Sequence, residues 1–321
     1  MAVAATVAEI IDEIEVSESL CAASYRGREI TESGPAKLTT TLAQMIYSNA
    51  HAGLQSERMT RPSTWHDEAL ERRLAAAVPV GRMRIRAELL HSDAGALLVD
   101  VGGVHLTVPA DSEHLESRTG NEVILVLPTQ WPKRSPGFFM ADSPKRAYKA
   151  FGPILRIYVR CESSDRALKV WESLGGILPS LEVPWRAKVL SIPQSFPRND
   201  AIVIYLNRPA WHESGRILEF LEENKLADPG GSMLASRRSA GIGLAFEPAD
   251  TRPTYSGLSF GQHRSRLIAD GVIRAARDNI DARTAVEESF RNGLVDPAAP
   301  WRNSTSPLVL EIENTPSPSL S

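Results

Sequence analysis

Cysteine is scarce in this chain of 321 residues, and long apolar runs are missing. Neither Cys21 nor Cys161 has a cysteine or histidine nearby at metal-ligand spacing, which argues against a disulfide framework and a zinc finger. The longest apolar runs, such as residues 201–206, fall far short of the roughly 20 residues that a membrane-spanning helix needs. The first residues also lack the basic segment of a secretory signal. These absences predict a cytoplasmic protein without a membrane segment.

A strong charge of either sign is absent as well. The formal net charge is −3 and the pI is about 6.2, so no overall field favours nucleic acid, and an anion site has to be local. Hydrophobic residues make up 42% and charged residues 23%, which is ordinary for a globular protein. The chain is long enough for two domains or for one large domain with an extended N-terminal part.

The N-terminal part, residues 1–150, shows helical patterns followed by strand patterns. We expect helices over the opening residues, over 39–52 and over 65–78, the last one capped by Thr64. Short runs rich in β-formers between residues 82 and 127 predict a small antiparallel sheet. The segment WPKRSPGFF (131–139) contains two prolines and a glycine, which predicts an ordered loop.

The second part, residues 151–300, has patterns of both kinds. Strands are predicted at 154–161, 185–192 and 201–206, with a turn at 193–200. A helix should begin after Ser163 or Ser164 and break at Gly175 and Gly176, and two more are expected at 213–224 and 261–278. The fold class is therefore α+β, with a helical N-terminal part and a mostly antiparallel sheet flanked by helices. Residues 301–321 form a Ser/Pro-rich tail that we expect to fray.

Four segments of the second part occur in an order that resembles a known family. They are RIYVR (156–160), WRAKVLSIPQSFPRNDAIVIYL (185–206), AGIGLAFEP (240–248) and SGLSFGQHRSRLIADGVIRAA (256–276). Together they are similar to the family founded on a HopA-type effector of type III secretion. Relatives in that family also accompany kinases in class V lanthipeptide and thioamitide biosynthesis. The resemblance covers about half of the chain, and each motif alone is weak.

The resemblance implies a split dehydratase in the biosynthetic branch of the family. A separate Ser/Thr kinase phosphorylates a precursor peptide in a heteromeric complex, and the HopA-type partner eliminates phosphate to leave dehydroalanine or dehydrobutyrine. The effector branch is linked to host targets instead, so a non-catalytic binding or adaptor protein for a kinase, precursor peptide or host protein is the alternative. Residues 1–150, largely outside the resemblance, are the candidate docking region for peptide or kinase.

The chemistry of elimination directs attention to the cationic residues of these segments. It needs a base for the Cα proton and positive groups for the departing phosphate, whereas no metal or organic cofactor is required. Lys188 is the candidate base because it lies in a strand pattern and shares a face with Arg186. The alternative is an edge strand with Arg186 and Lys188 on its solvated face.

Phosphate recognition is assigned to arginines, since a guanidinium can fork onto phosphate oxygens. Arg198, in the predicted turn beside Asp200, and Arg264 are favoured, followed by Arg160 and then Arg237. An ordinary surface turn is the alternative for Arg198.

The element SFGQHR (259–264) resembles a helix start, with Ser259 as the cap and free N–H groups directed at an anion. His263 is the candidate acid for the departing oxygen, with a structural histidine as the alternative. Tyr205 can orient the phosphate or Cα, or can be a half-buried strand tyrosine.

Other enzyme signatures are missing from the sequence. The two glycines in AGIGLAFEP lack the third glycine of a dinucleotide loop, and no P-loop, HExxH or GxSxG element occurs. No kinase catalytic motif is present, so a separate kinase has to make the phosphopeptide. A phosphatase-like hydrolase lacks an obvious nucleophile and ranks last.

Overall fold

The computed structural model describes residues 3–54, 66–78, 81–93, 95–145, 148 and 152–307. These residues form α-helices and three antiparallel sheets, which confirms the α+β class. The predicted cap Thr64 and the end of the predicted tail, residues 308–321, lie outside the described residues.

The N-terminal part combines three helices with a small sheet of strand order β1-β2-β3. Its elements are α1 (Ala5–Asp12), β1 (Ile14–Val16), β2 (Ala22–Tyr25), β3 (Arg28–Thr31), α2 (Pro35–Ile46) and α3 (Glu68–Ala77). Helix α2 continues as a π-helical turn over Tyr47–His51. Asp67 caps α3, its side chain accepting a hydrogen bond from the backbone N–H of Leu70 at 2.8 Å. The predicted opening helix is shorter than expected, because β1 follows it.

A five-stranded antiparallel sheet follows, as the β-rich runs predict. Its strand order is β6-β5-β4-β8-β7. Its strands are β4 (Arg82–Ser92), β5 (Ala96–Val101), β6 (Val104–Pro109), β7 (Leu115–Thr119) and β8 (Glu122–Pro128). It has its own apolar cluster around Val99, Val123 and Leu125.

The largest sheet has seven strands in the order β14-β15-β11-β13-β12-β10-β9. Its strands are β9 (Gln130–Ser135), β10 (Phe138–Asp142), β11 (Ile154–Cys161), β12 (Trp185–Leu190), β13 (Arg198–Asn207), β14 (Ser236–Ser239) and β15 (Ile242–Phe246). The helices of this part are α4 (Ser164–Ile177), α5 (Ser214–Glu223), α6 (Phe260–Asp278) and α7 (Ala282–Asn292). The seven-stranded sheet therefore draws strands from both sides of residue 150.

Both faces of the seven-stranded sheet are covered. Alternate residues such as Ile157, Ala187 and Ile204 pack with α4 and α5 in one core. On the opposite face Tyr158 and Val203 join the core of α2 and α6. Successive strand residues point to opposite faces, so the polar strand residues that share a face with Tyr158 and Val203 lie on the side of the sheet that α2 and α6 cover.

Three expectations about local structure are wrong. The segment WPKRSPGFF is not a loop: β9 and β10 pair there as a hairpin, and Pro132 is accommodated because β9 is an edge strand. Arg198 and Asp200 do not lie in a turn but begin β13. Helix α4, capped by Ser163, runs through both glycines at 175 and 176, because burial of its apolar side outweighs their low helix propensity.

Candidate functional site

The strand register places a row of polar side chains across the second face of the seven-stranded sheet. Tyr205 of β13 is directly paired with Arg156 of β11 on one side and Arg186 of β12 on the other. Arg186 is in turn paired with Asp142 of β10. Directly opposed residues of antiparallel strands share a face, so four strands bring these groups together. We call this face, with the adjacent Lys188 and Arg198, the cationic face.

Three arginines of the cationic face are each paired with a carboxylate. Arg186 forks onto Asp142, with Nε to Oδ1 at 2.6 Å and Nη2 to Oδ2 at 2.8 Å. Arg156 pairs with Glu247 just beyond β15. The third pair joins Arg198 and Asp200 and is described below. Buried charges need such partners, because an unpaired charge inside a protein is costly.

Lys188 lies on β12, an interior strand between β13 and β10, so the edge-strand alternative is wrong. Its side chain is half-buried, and its Nζ is 4.0 Å from the centroid of the Phe138 ring and 6.0 Å from that of Tyr205. Among the described residues no carboxylate pairs with Lys188. Its side chain therefore lies against aromatic rings of this face and, within the described part of the chain, forms no ion pair.

Arg198 lies beside Lys188, since its Cζ is 5.7 Å from the centroid of the same Phe138 ring. Its Nε and Nη2 donate to the two carboxylate oxygens of Asp200 at 2.7 and 2.9 Å, and Nη2 also donates to the Tyr47 hydroxyl at 2.8 Å. Burial opposes ionisation of Asp200, but the charge and hydrogen bonds of Arg198 outweigh it and hold the Asp200 pKa well below its usual range. The pair is permanently charged at neutral pH.

Two further predicted residues are placed differently from one another. Arg160 extends from the end of β11, and its Nη1 donates to Oδ1 of Asn199 at 2.9 Å, so it lies next to the start of β13. Arg237 is exposed on the edge strand β14, four strand positions from β12, or roughly 19 Å at about 4.8 Å per strand. The structure thus brings Lys188, Tyr205 and Arg198 into one region, places Arg160 at the adjoining end of β11, and leaves Arg237 outside this region.

His263 and Arg264 lie in the first turn of α6 and are fully buried. Arg264 donates from Nε to the carbonyl of Pro300 at 2.7 Å, from Nη2 to Oδ1 of Asn303 at 2.9 Å and from Nη1 to Nδ1 of His263 at 2.7 Å. Nε2 of His263 then donates to Asp250 at 3.0 Å. Both side chains are bonded to protein on every side-chain nitrogen.

Burial and the adjacent guanidinium shift the titration of this pair. They lower the His263 pKa to about 4, although Asp250 opposes the change, so the ring is neutral at physiological pH. Burial also lowers the Arg264 pKa to about 9. A capping box joins Ser259 and Gln262 at the start of α6. The His263 and Arg264 side chains, which were expected to meet an anion there, are bonded to the protein's own groups instead.

Several residues of the cationic face escape the sequence reasoning. Asp142 and Phe138 lie in the β9–β10 hairpin, whose prolines predict a loop. Glu247 comes close to Arg156 only because β15 pairs with β11. Tyr47 and His51 come from the π-helical turn after α2. A π-helical turn is frequent at functional sites, but the sequence carries no signal for it.

His51 is a buried neutral histidine of this region. Its Nδ1 is 2.8 Å from Oγ of Ser232, and its ring packs against Tyr158 and Phe260. Burial lowers its pKa to about 4, with Asp200 opposing the shift and Arg198 supporting it. A Cβ on Gly261 would lie 2.1 Å from the ring, so glycine is required there for close packing.

Within the described ranges, no three His, Cys, Asp or Glu side chains converge as metal ligands would. No helix in this part of the chain is long and apolar enough to cross a membrane.

Comparison with known proteins matches residues 129–302, more than half of the chain, to the model of the HopA1 effector protein family. Among solved structures, an effector protein from Pseudomonas syringae pv. tomato strain DC3000 has 14% identity and a TM-score of 0.41, covering 54% of this chain and 65% of its own length. An effector protein from Pseudomonas syringae pv. syringae strain 61 has 13% identity and a TM-score of 0.44, covering 83% and 95%. This chain thus spans less than two thirds of the first of these effectors. No curated protein matches the sequence significantly.

Proposed function

Because this chain belongs to the HopA1 effector protein family, we propose that it is a phosphopeptide lyase acting on phosphoserine or phosphothreonine. The observation that carries the proposal is the cationic face, where Lys188 forms no ion pair with any described residue and lies beside carboxylate-anchored arginines. A phosphate group brings about −1.5 to −2 charge, which such a face can accept. The substrate in this proposal is a precursor peptide that a separate Ser/Thr kinase has phosphorylated in the cytoplasm.

The proposed reaction is a β-elimination. Lys188 acts as the neutral amine and takes the Cα proton, the Cα–H electron pair forms the Cα=Cβ bond, and the Cβ–O pair leaves with phosphate. Arg198, and next to it Arg160, stabilise the charge on the phosphate. Tyr205, between Arg156 and Lys188, orients the substrate. The proton on Lys188 then passes to the released phosphate.

The buried pair at the start of α6 has a different part in this proposal. Arg264 holds the segment 300–303 against α6, and His263 links Arg264 to Asp250, rather than touching phosphate. In the proposed reaction Arg198 and Arg160 stabilise the departing dianion, so the acid that His263 was expected to supply is not needed.

Mass spectrometry of a synthetic phosphopeptide incubated with the full chain tests the reaction. Elimination lowers the mass by about 98 Da, because phosphoric acid leaves, whereas hydrolysis lowers it by about 80 Da. The variant Lys188→Ala should lose elimination while it still binds phosphopeptide, and Lys169→Ala, which changes an exposed lysine of α4, should behave like the wild type. Wild-type binding without any mass change would favour the adaptor function instead.

A further inference from the structure

The N-terminal part supplies a tyrosine to the cationic face from outside the segment that the family model matches. Tyr47 is the first residue of the π-helical turn that continues α2, whereas the match begins at residue 129. Its hydroxyl accepts the hydrogen bond from Nη2 of Arg198 at 2.8 Å. The connection spans 151 positions of sequence and joins two separate parts of the chain.

The hydrogen bonds of Arg198 show what this contact does. A guanidinium has five N–H groups. The Asp200 carboxylate accepts hydrogen bonds from the N–H on Nε and from one N–H on Nη2, and the Tyr47 hydroxyl accepts one from the second N–H on Nη2. Nη1 donates to no described residue, so its two N–H groups are the ones left for a ligand. Two fixed partners on one edge of the guanidinium determine where the opposite nitrogen points.

The π-helical turn is itself fastened to the start of β13. The side chain of Asn199 donates to the carbonyl of His51 at 2.9 Å, and its backbone N–H donates to the carbonyl of Ala52 at 2.8 Å. Gly53 packs against the amide of Asn199 so closely that a Cβ would lie 2.6 Å from Nδ2. On the other side, the N–H of Met233 donates to the carbonyl of Ala50 at 2.8 Å. Tyr47 is therefore held on a rigid support.

We propose that Tyr47 is a positioning residue for anion binding: its hydroxyl, together with Asp200, aims Nη1 of Arg198 at the substrate phosphate. This rests on the proposed function, in which Arg198 holds the phosphate. Without the hydroxyl, Arg198 keeps its charge and its pairing with Asp200 but loses the second contact that fixes the plane of its guanidinium. The site then binds phosphate less tightly, while the base, Lys188, is unchanged.

Steady-state kinetics on the full chain test this inference with Tyr47→Phe, which keeps the ring and removes only the hydroxyl. We expect KM for a phosphoserine peptide to rise about tenfold and kcat to change by less than about twofold, because the variant should bind the substrate and the transition state less tightly by the same amount. The control is Tyr255→Phe, which removes a hydroxyl that donates to Asp270 at 2.7 Å and should leave both constants unchanged. A tenfold loss of kcat with unchanged KM would overturn the positioning role.

A double-mutant cycle separates this role from a structural one. If Tyr47 acts through Arg198, adding Tyr47→Phe to Arg198→Ala should raise KM no further. Additive effects would overturn the inference, as would a Tyr47→Phe variant that matches the wild type.

Calorimetric titration of the same phosphopeptide distinguishes failure of this inference from failure of the proposed function. If the wild type eliminates nothing but binds the peptide, and Tyr47→Phe weakens that binding about tenfold, the lyase proposal fails and the role of Tyr47 stands. If the wild type eliminates phosphate and Tyr47→Phe binds equally well, the role of Tyr47 alone fails.

Discussion

Mild acid should destabilise this protein through two buried histidines, His51 and His263. Each is almost inaccessible to solvent, with 2% and 0% exposure, and burial lowers the pKa of each from 6.5 to about 4. A histidine whose pKa is lowered by folding binds fewer protons in the folded state than in the unfolded state. Its contribution to stability is therefore present above pH 6.5 and is lost as pH falls toward 4.

The size of the loss follows from the two pKa values. Between about pH 7.5 and about pH 5, each histidine should reduce the free energy of unfolding by about 2 kcal/mol. Two histidines together reach about 4 kcal/mol, a large part of the 5–15 kcal/mol that typically stabilises a domain, if their effects add. His263 has a clear structural reason for staying neutral, because its Nδ1 accepts a hydrogen bond from the Arg264 cation.

Urea unfolding followed by tryptophan fluorescence at the two pH values measures this loss. The variant His263→Asn should be less stable at both values, yet its stability should depend less on pH, by about 2 kcal/mol. The control His91→Asn removes an exposed histidine and should leave the pH dependence unchanged. If His263→Asn retains the full wild-type pH dependence, the assignment of a buried neutral ring is refuted.

Three other perturbations test the packing and the cationic face. In α4, Gly176→Ala should stabilise the protein by about 0.5–1 kcal/mol, because a Cβ at this position meets nothing within 4 Å. Gly175→Ala should destabilise it by about 1–3 kcal/mol, because a Cβ there would lie 2.9 Å from Val78. Thermal melts that reverse this order would contradict the packing of α3 on α4. Arg264→Met should lower the free energy of unfolding in urea by at least about 3 kcal/mol, because it leaves several buried acceptors without a donor. Wild-type stability together with weakened phosphopeptide binding would instead place Arg264 in the phosphate site. Inorganic phosphate at about 100 times its Kd should stabilise the wild type by about 2.7 kcal/mol, and Arg198→Ala should remove most of this gain; an equal gain in the variant would place the anion elsewhere.

The positions of most helices and strands follow from local patterns that a sequence displays. Period-2 runs predict β4, β5, β11 and β12, and apolar spacing predicts α5 and α6 near their observed bounds. Helix α7 was missed, although Asp281 caps it. The β9–β10 hairpin was missed because its prolines are tolerated only at the edge of a sheet, and edge position depends on pairing with distant strands.

The sequence by itself determined the α+β class, the strand with Lys188 and Arg186 on one face, and the family resemblance, because these depend on local periodicity and on motifs that are contiguous in the chain. Only the tertiary structure decided that this strand is interior and which cations are paired. Asp142 and Glu247 neutralise Arg186 and Arg156 from distant parts of the chain, Asp200 neutralises its near neighbour Arg198, and Tyr47 reaches Arg198 from 151 positions away. It also decided that Arg264 is buried against the segment 300–303 and that His263 is buried between Arg264 and Asp250. Burial and charge pairing arise from contacts between distant residues, so residue type and spacing alone cannot reveal them.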